Sequence, residues 1–332
     1  MKRQLWCILG ILLVGSSIML AEKKIDYTLS NGLQVLLIQD PTASLVSSRV
    51  YVRAGAIHED RWLGGGLSHY LEHLVAGGST SVRGEKTYES MVSKMGGASN
   101  AYTTTDHTSY YINSTPENIK NTISILNEWM FDCNIDPKEF DRERSVITRE
   151  IEKNLANISR QFYQLSQRHF YKIHPIRMPV IGFLETFKQV QRQDVIDYYN
   201  KMYVPRNMIL VIGGHFNEEE VKAHIEDTFG KRLDYAAPSS PVFDEPYPFN
   251  TRILEESGDT ATTYMSIRFA TVDLYSSDLY PLDLLDFILS NGEDSLLYTS
   301  LVEDQKLAYS VRASSYTPNE TTGYFDVTFE ID

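Results

Sequence analysis

The sequence predicts an α+β fold of two domains, each a sheet backed by helices, the second incomplete at the end of the chain. Three observations predict it. Stretches with period-two alternation and stretches with 3.6-residue periodicity are interspersed, not arranged as strict strand-helix repeats. Pro238, Pro241, Pro246 and Pro248 cluster between Asp234 and Asn250, which marks a linker. Beyond them the strand and helix patterns return, and the last residues still read as a strand. A chain of 332 residues with 42% hydrophobic residues can supply a core to both domains.

Taken in order, Lys2 and Arg3 precede an apolar run from Leu5 to Leu20, and the small residue Ala21 follows. This reads as a secretory signal peptide over 1–21, with a single membrane anchor as the alternative. Cleavage removes Cys7, leaving Cys133 as the single cysteine, so internal disulfides are excluded. It also removes two positive charges, taking the net charge from −13 to −15. A balance that acidic excludes nucleic acid as the main partner. A periplasmic or secreted location is expected, with no stable membrane span after cleavage.

The N-terminal domain is assigned to 22–234. Tyr27-Thr28-Leu29 and the run Leu33 to Leu37 flank Asn31-Gly32, a tight-hairpin signal. Val46 to Arg53 alternates as a strand. Helices follow over about Leu67 to Ala76 and Tyr88 to Met95, then strands over Ser99–Thr103 and Thr108–Asn113. Helices are expected near Pro116–Phe131, Pro137–Leu155 and Asp194–Met202, a buried strand over Met208–Gly213, and a helix from Glu218 to Phe229. The linker is 235–250. The partial C-terminal domain, 251–332, carries strands at Thr262–Thr271, Ala308–Ser315 and Gly323–Ile331 and a helix at Ser276–Leu289.

The chemistry is concentrated in the first of these helices. Leu67, Tyr70, Leu71, Leu74 and Val75 form an apolar stripe, and His69, Glu72 and His73 fall together on the other side. Two histidines four apart can hold one metal ion, and zinc suits imidazole. Glu72, next to the second histidine, is poorly placed as a main ligand but well placed to take a proton from a water the metal activates. Glycines at 64–66 and 77–78 delimit the helix. A catalytic zinc needs a third protein ligand and an open position. The candidates lie on the helix opened by the cap Asp136, Pro137 and the first-turn acid Glu139. There Phe140, Ile147, Ile151 and Leu155 form the expected core stripe, and Glu143 and Glu150, seven apart, border it on nearly one meridian. Each acid has an ordinary alternative, a surface ion pair with Arg142, Arg144 or Arg149.

These segments resemble the M16 (pitrilysin/insulinase-like) zinc metallopeptidase family from about Tyr27 to the end of the chain. The resemblance rests on Leu29 to Leu33, His69 to Leu74, Gly96 to Thr103, Glu143 to Glu150, Tyr203 to Met208 and Leu307 to Val311, six segments in the family's order. It implies two related M16-type domains facing each other across a cleft, the first carrying the metal. It further implies that His69 and His73 bind zinc, that Glu72 is the catalytic base and that Glu150 is the third ligand. Glu143 then matches an acid that supports activity. Asn100 and Ala101 match the edge strand against which a peptide substrate lies, and Tyr309 a cleft tyrosine from the second domain. Val302 departs from the pattern, since many relatives carry an arginine seven residues before that tyrosine. The implied function is a zinc-dependent metalloendopeptidase acting on short or unfolded peptides, working as a homodimer or with a paired M16 subunit. A non-catalytic or assembly subunit is the alternative.

Overall fold

Asn31-Gly32 turns the chain as its chemistry demands. In the computed structural model, which describes residues 22–239, 243–248 and 250–332, Gly32 takes a φ of 85°. The Asn31 amide nitrogen donates to the carbonyls of Phe229 (2.8 Å) and Arg232 (3.0 Å). The turn joins β1 (Lys23–Thr28) to β2 (Gln34–Gln39) as an antiparallel pair. The signal-peptide reading of 1–21 lies outside the described residues. No helix among the described residues is long and apolar enough to cross a membrane.

The first sheet has the order β1-β2-β6-β3-β5-β4. Its other strands are β3 (Val46–Val52), β4 (Ala98–Thr103), β5 (Thr108–Ser114) and β6 (Met208–Gly214). β6, from far along the chain, enters between β2 and β3, pairing parallel to the former and antiparallel to the latter. The alternation in β3 buries Val46, Ser48, Val50 and Val52 on one face. Helices cover that face: α1 (Leu67–Val75), α2 (Glu85–Lys94), α3 (Ile119–Phe131), α4 (Pro137–Leu155), α7 (Arg192–Met202) and α8 (Glu218–Thr228). The buried Ser48 and Thr122 hydroxyls meet at 2.7 Å, so neither is left unpaired in the core. Tyr70 on α1 stacks on Phe140 of α4 (ring centroids 4.9 Å apart) and its hydroxyl donates to the Phe140 carbonyl at 2.5 Å. This contact fixes the two helices that carry the candidate site.

Two expectations are corrected. Leu155 does not belong to the core stripe of α4. It is the last residue of the helix and 47% exposed, and the stripe ends one turn earlier at the buried Ile151. The stretch after it, given no element from the sequence, forms α5 (Ile158–Phe170) and the short α6 (Leu184–Phe187). α5 packs against α4 and its own domain, and its aromatic side chains also reach the second sheet. Phe162 meets Tyr264 and Phe170 meets Tyr324, with ring centroids 5.8 and 5.2 Å apart.

That second sheet has the order β7-β9-β8, built from β7 (Thr263–Ala270), β8 (Ser310–Tyr316) and β9 (Tyr324–Ile331), all antiparallel. Its helix α9 spans Leu279–Ser290. Between Arg232 and Thr262 the described residues form neither helix nor strand, yet the segment is tied down. The Glu245 carboxylate accepts from three successive backbone amides, Lys172, Ile173 and His174, at 2.6–2.8 Å. Arg252 donates to the Phe170 carbonyl at 3.0 Å.

Candidate active site

The site forms where α1 and α4 pass the open end of the first sheet. His69 and His73, one helical turn apart on α1, bring their rings to 4.8 Å between centroids, nearly edge to face. Glu150 of α4 reaches both: its Oε2 lies 3.8 Å from His69 Nε2 and 3.9 Å from His73 Nε2. One ligand atom from each of these three residues lies within 4.8 Å of the others, the one such cluster among the described residues. Ligand atoms on a tetrahedral zinc, each at 2.0–2.2 Å, are about 3.4 Å apart. The donor set therefore fits zinc after Glu150 closes by about half an ångström on each imidazole and the widest separation in the cluster, up to 4.8 Å, closes by about 1.4 Å. Glu150 is the exposed member, with 43% of its side chain open, against 13% for His69 and 23% for His73.

The imidazoles are prepared differently. Burial, with the charge of His73 beside it, pushes the pKa of His69 down to about 3, so this ring is the neutral form a metal requires. Burial also opposes charge on His73. There the Glu143 hydrogen bond and the charges of Glu143, Glu72 and Glu150 outweigh it and raise the pKa. Glu143 Oε2 sits 3.0 Å from His73 Nδ1, which fixes the ring and leaves Nε2 facing Glu150. The His73 hydrogen bond in turn lowers the pKa of Glu143. Arg142 anchors the other Glu143 oxygen at 2.8 Å and is itself held by both oxygens of Glu85, at 2.9 and 2.7 Å.

Glu72 is separate from the three-residue cluster. Burial raises its pKa above the ordinary carboxylate value, and the Thr103 hydroxyl, donating to Oε2 at 2.7 Å, opposes the rise. Thr103 was missed by sequence reasoning. Its signal was available in the alternation of β4, which turns Ala101 and Thr103 inward and leaves Asn100 and Tyr102 exposed. β4 closes the sheet and pairs with β5 alone, so its outer edge, running past Glu72, is open. Asn100 is exposed, its side-chain oxygen accepting from the Ala101 amide at 2.9 Å. Tyr309 is not brought to this cluster. It is 60% exposed, just before β8, and its hydroxyl meets the Asp332 carboxylate. Val302 lies in a π-helical stretch, Tyr298–Asp304.

Comparison with known proteins agrees with this architecture. The profile described as Insulinase (Peptidase family M16) matches residues 34–182, and that described as Peptidase M16 inactive domain matches 189–332. The chain is 26% identical over 292 residues to an uncharacterized zinc protease, YmxG, of Bacillus subtilis, covering 87% of this chain and 70% of that one. It is 27% identical over 204 residues to the mitochondrial-processing peptidase subunit beta of Caenorhabditis elegans, covering 61% of this chain and 44% of that one. A crystal structure of a protease from Helicobacter pylori superposes with a TM-score of 0.85 at 23% identity, over 94% of this chain and 75% of that one. The chain spans 64–70% of the length of three curated zinc-protease relatives. Two profiles of one family, matched in order over most of the sequence on a fold shared with its solved structures, mean that this chain belongs to the M16 peptidase family.

Proposed function

We propose that this chain is a zinc-dependent metalloendopeptidase that hydrolyses short or unfolded peptides. The observation that carries the reading is the convergence of His69, His73 and Glu150 beside a half-buried, separately held carboxylate, Glu72. His69 Nε2, His73 Nε2 and Glu150 Oε2 would hold the metal. Zinc bound there would polarise the scissile carbonyl and lower the pKa of a water. Glu72 takes the proton of the attacking water and returns it to the leaving amine. Thr103 aims that carboxylate, and Glu143 holds His73 in one tautomer. The open edge of β4 at Asn100 and Ala101 offers backbone donors and acceptors to any extended peptide, which suits a substrate without folded structure.

The 1–21 segment supports a periplasmic or secreted location. The second reading is a non-catalytic or assembly subunit of a two-chain M16 complex, favoured by the exposure of Tyr309 away from the metal cluster. Incubation with a mixed peptide library separates the readings. The first expects cleavage that stops on chelation and returns with zinc. Peptide binding without turnover in the zinc-loaded chain overturns it in favour of the second.

A further inference from the structure

α1 begins without a cap of its own. Its N-cap residue is Gly66, which has no side chain to offer and takes the left-handed conformation (φ 70°, ψ 30°). No larger residue fits, since a Cβ at Gly66 would come within 2.3 Å of the Ile181 carbonyl oxygen. The free amides at the start of a helix nonetheless need acceptors when buried. They find one in Glu59, seven residues upstream and 1% exposed. Its Oε2 accepts from the Gly66 amide at 3.0 Å and its Oε1 from the Ser68 amide at 2.9 Å. Burial raises the pKa of this carboxyl, the amide hydrogen bonds opposing the rise. Glu59 has no ion-pair partner among the described residues, so the positive end of α1 takes the place of a cation. Ser68, immediately before His69, is held a second time, its hydroxyl 2.9 Å from that of Tyr198.

We propose that Glu59 is the positioning residue for the metal-binding helix: as a remote cap it fixes where α1 starts and how it is rotated, and so where His69 and His73 stand relative to Glu150. The inference rests on the zinc-peptidase reading but concerns a residue that touches neither metal nor substrate. A residue that only stabilised the fold would change melting and leave zinc affinity in the folded protein untouched. A positioning residue changes both.

The test compares the wild-type chain with Glu59→Gln and Glu59→Asp, well below their melting temperatures. Zinc affinity is measured by chelator competition, and hydrogen exchange of the α1 amides is followed in the metal-free protein. Gln keeps the shape but presents an NH2 to one of the two amides. Asp keeps both acceptors on a shorter arm. The expected order of zinc affinity and of α1 protection is wild type, then Asp, then Gln, with Gln weaker in zinc by roughly ten- to a hundredfold. If Gln does not fold, the Asp comparison stands, with a loss of about threefold or more expected. Wild-type zinc affinity and exchange in folded variants that merely melt lower would overturn the proposal. If the wild-type chain takes up no zinc, the peptidase reading fails by itself, and the exchange of α1 decides the role of Glu59: faster exchange in Gln supports it, unchanged exchange sinks it.

Discussion

Replacing Glu72 with Gln is expected to leave one zinc per chain and to slow peptide hydrolysis by about a thousandfold. The carboxylate is not one of the three clustered donors, so the metal has no reason to leave. Its Oε2 accepts from Thr103, and a glutamine amide oxygen can do the same, so the side chain keeps its place. What the amide lacks is basicity. The proton of the attacking water then has no acceptor at that position, and only the metal and the substrate contacts remain to lower the barrier. Elemental analysis together with turnover of a fluorogenic peptide checks both halves. Full activity in the variant would remove Glu72 from the mechanism.

Replacing Glu150 with Ala is expected to do the reverse, losing activity by losing the metal. Glu150 Oε2 is the one acidic oxygen within 4 Å of both His69 Nε2 and His73 Nε2 among the described ion pairs. Without it two imidazoles remain, a donor set short of the three protein ligands of a catalytic zinc. Zinc affinity should fall by about a hundredfold or more. Glu143→Ala, which removes only the support on His73 Nδ1, should cost the ten- to hundredfold typical of a residue behind a ligand. Chelator competition at one pH ranks the two variants, and an equal or reversed ranking would exchange the roles given to these acids.

How far the sequence could be read follows from where each signal resides. The α1 and α4 helices were legible because their apolar stripes and the Asp136-Pro137 start are local, and α4 spans the expected Pro137–Leu155. The hairpin at Asn31-Gly32 was legible because a left-handed turn needs those residues. The place of β6 between β2 and β3 was not, since strand order is decided by pairing between segments far apart in the chain. Nor was α5, whose aromatics Phe162 and Phe170 face a sheet more than a hundred residues downstream. Leu155 continued a helical period past the edge of the core, where periodicity alone gives no warning.

The site divides in the same way. The spacing of His69, Glu72 and His73 states the chemistry on one helix. Between Glu143 and Glu150, periodicity left both acids as candidates, and only the family resemblance separated them. In the structure Glu150 approaches both Nε2 atoms, while Glu143 backs His73 from the other side of the ring. Glu59 gave no sequence signal as a site residue, and the alternation of β4 turns Thr103 inward without saying what its hydroxyl meets. A buried carboxylate and a strand hydroxyl gain meaning only from what packing brings to them, an open helix start and the Glu72 carboxylate.

The central claim is that His69, His73 and Glu150 hold one zinc ion beside Glu72. X-ray absorption at the zinc edge of the metal-loaded chain tests it most directly. The account predicts two imidazole nitrogens at about 2.0–2.1 Å, with oxygen ligands at about 2.0–2.2 Å and no sulfur. A sulfur shell at about 2.3 Å, or a spectrum without imidazole scattering, would contradict it.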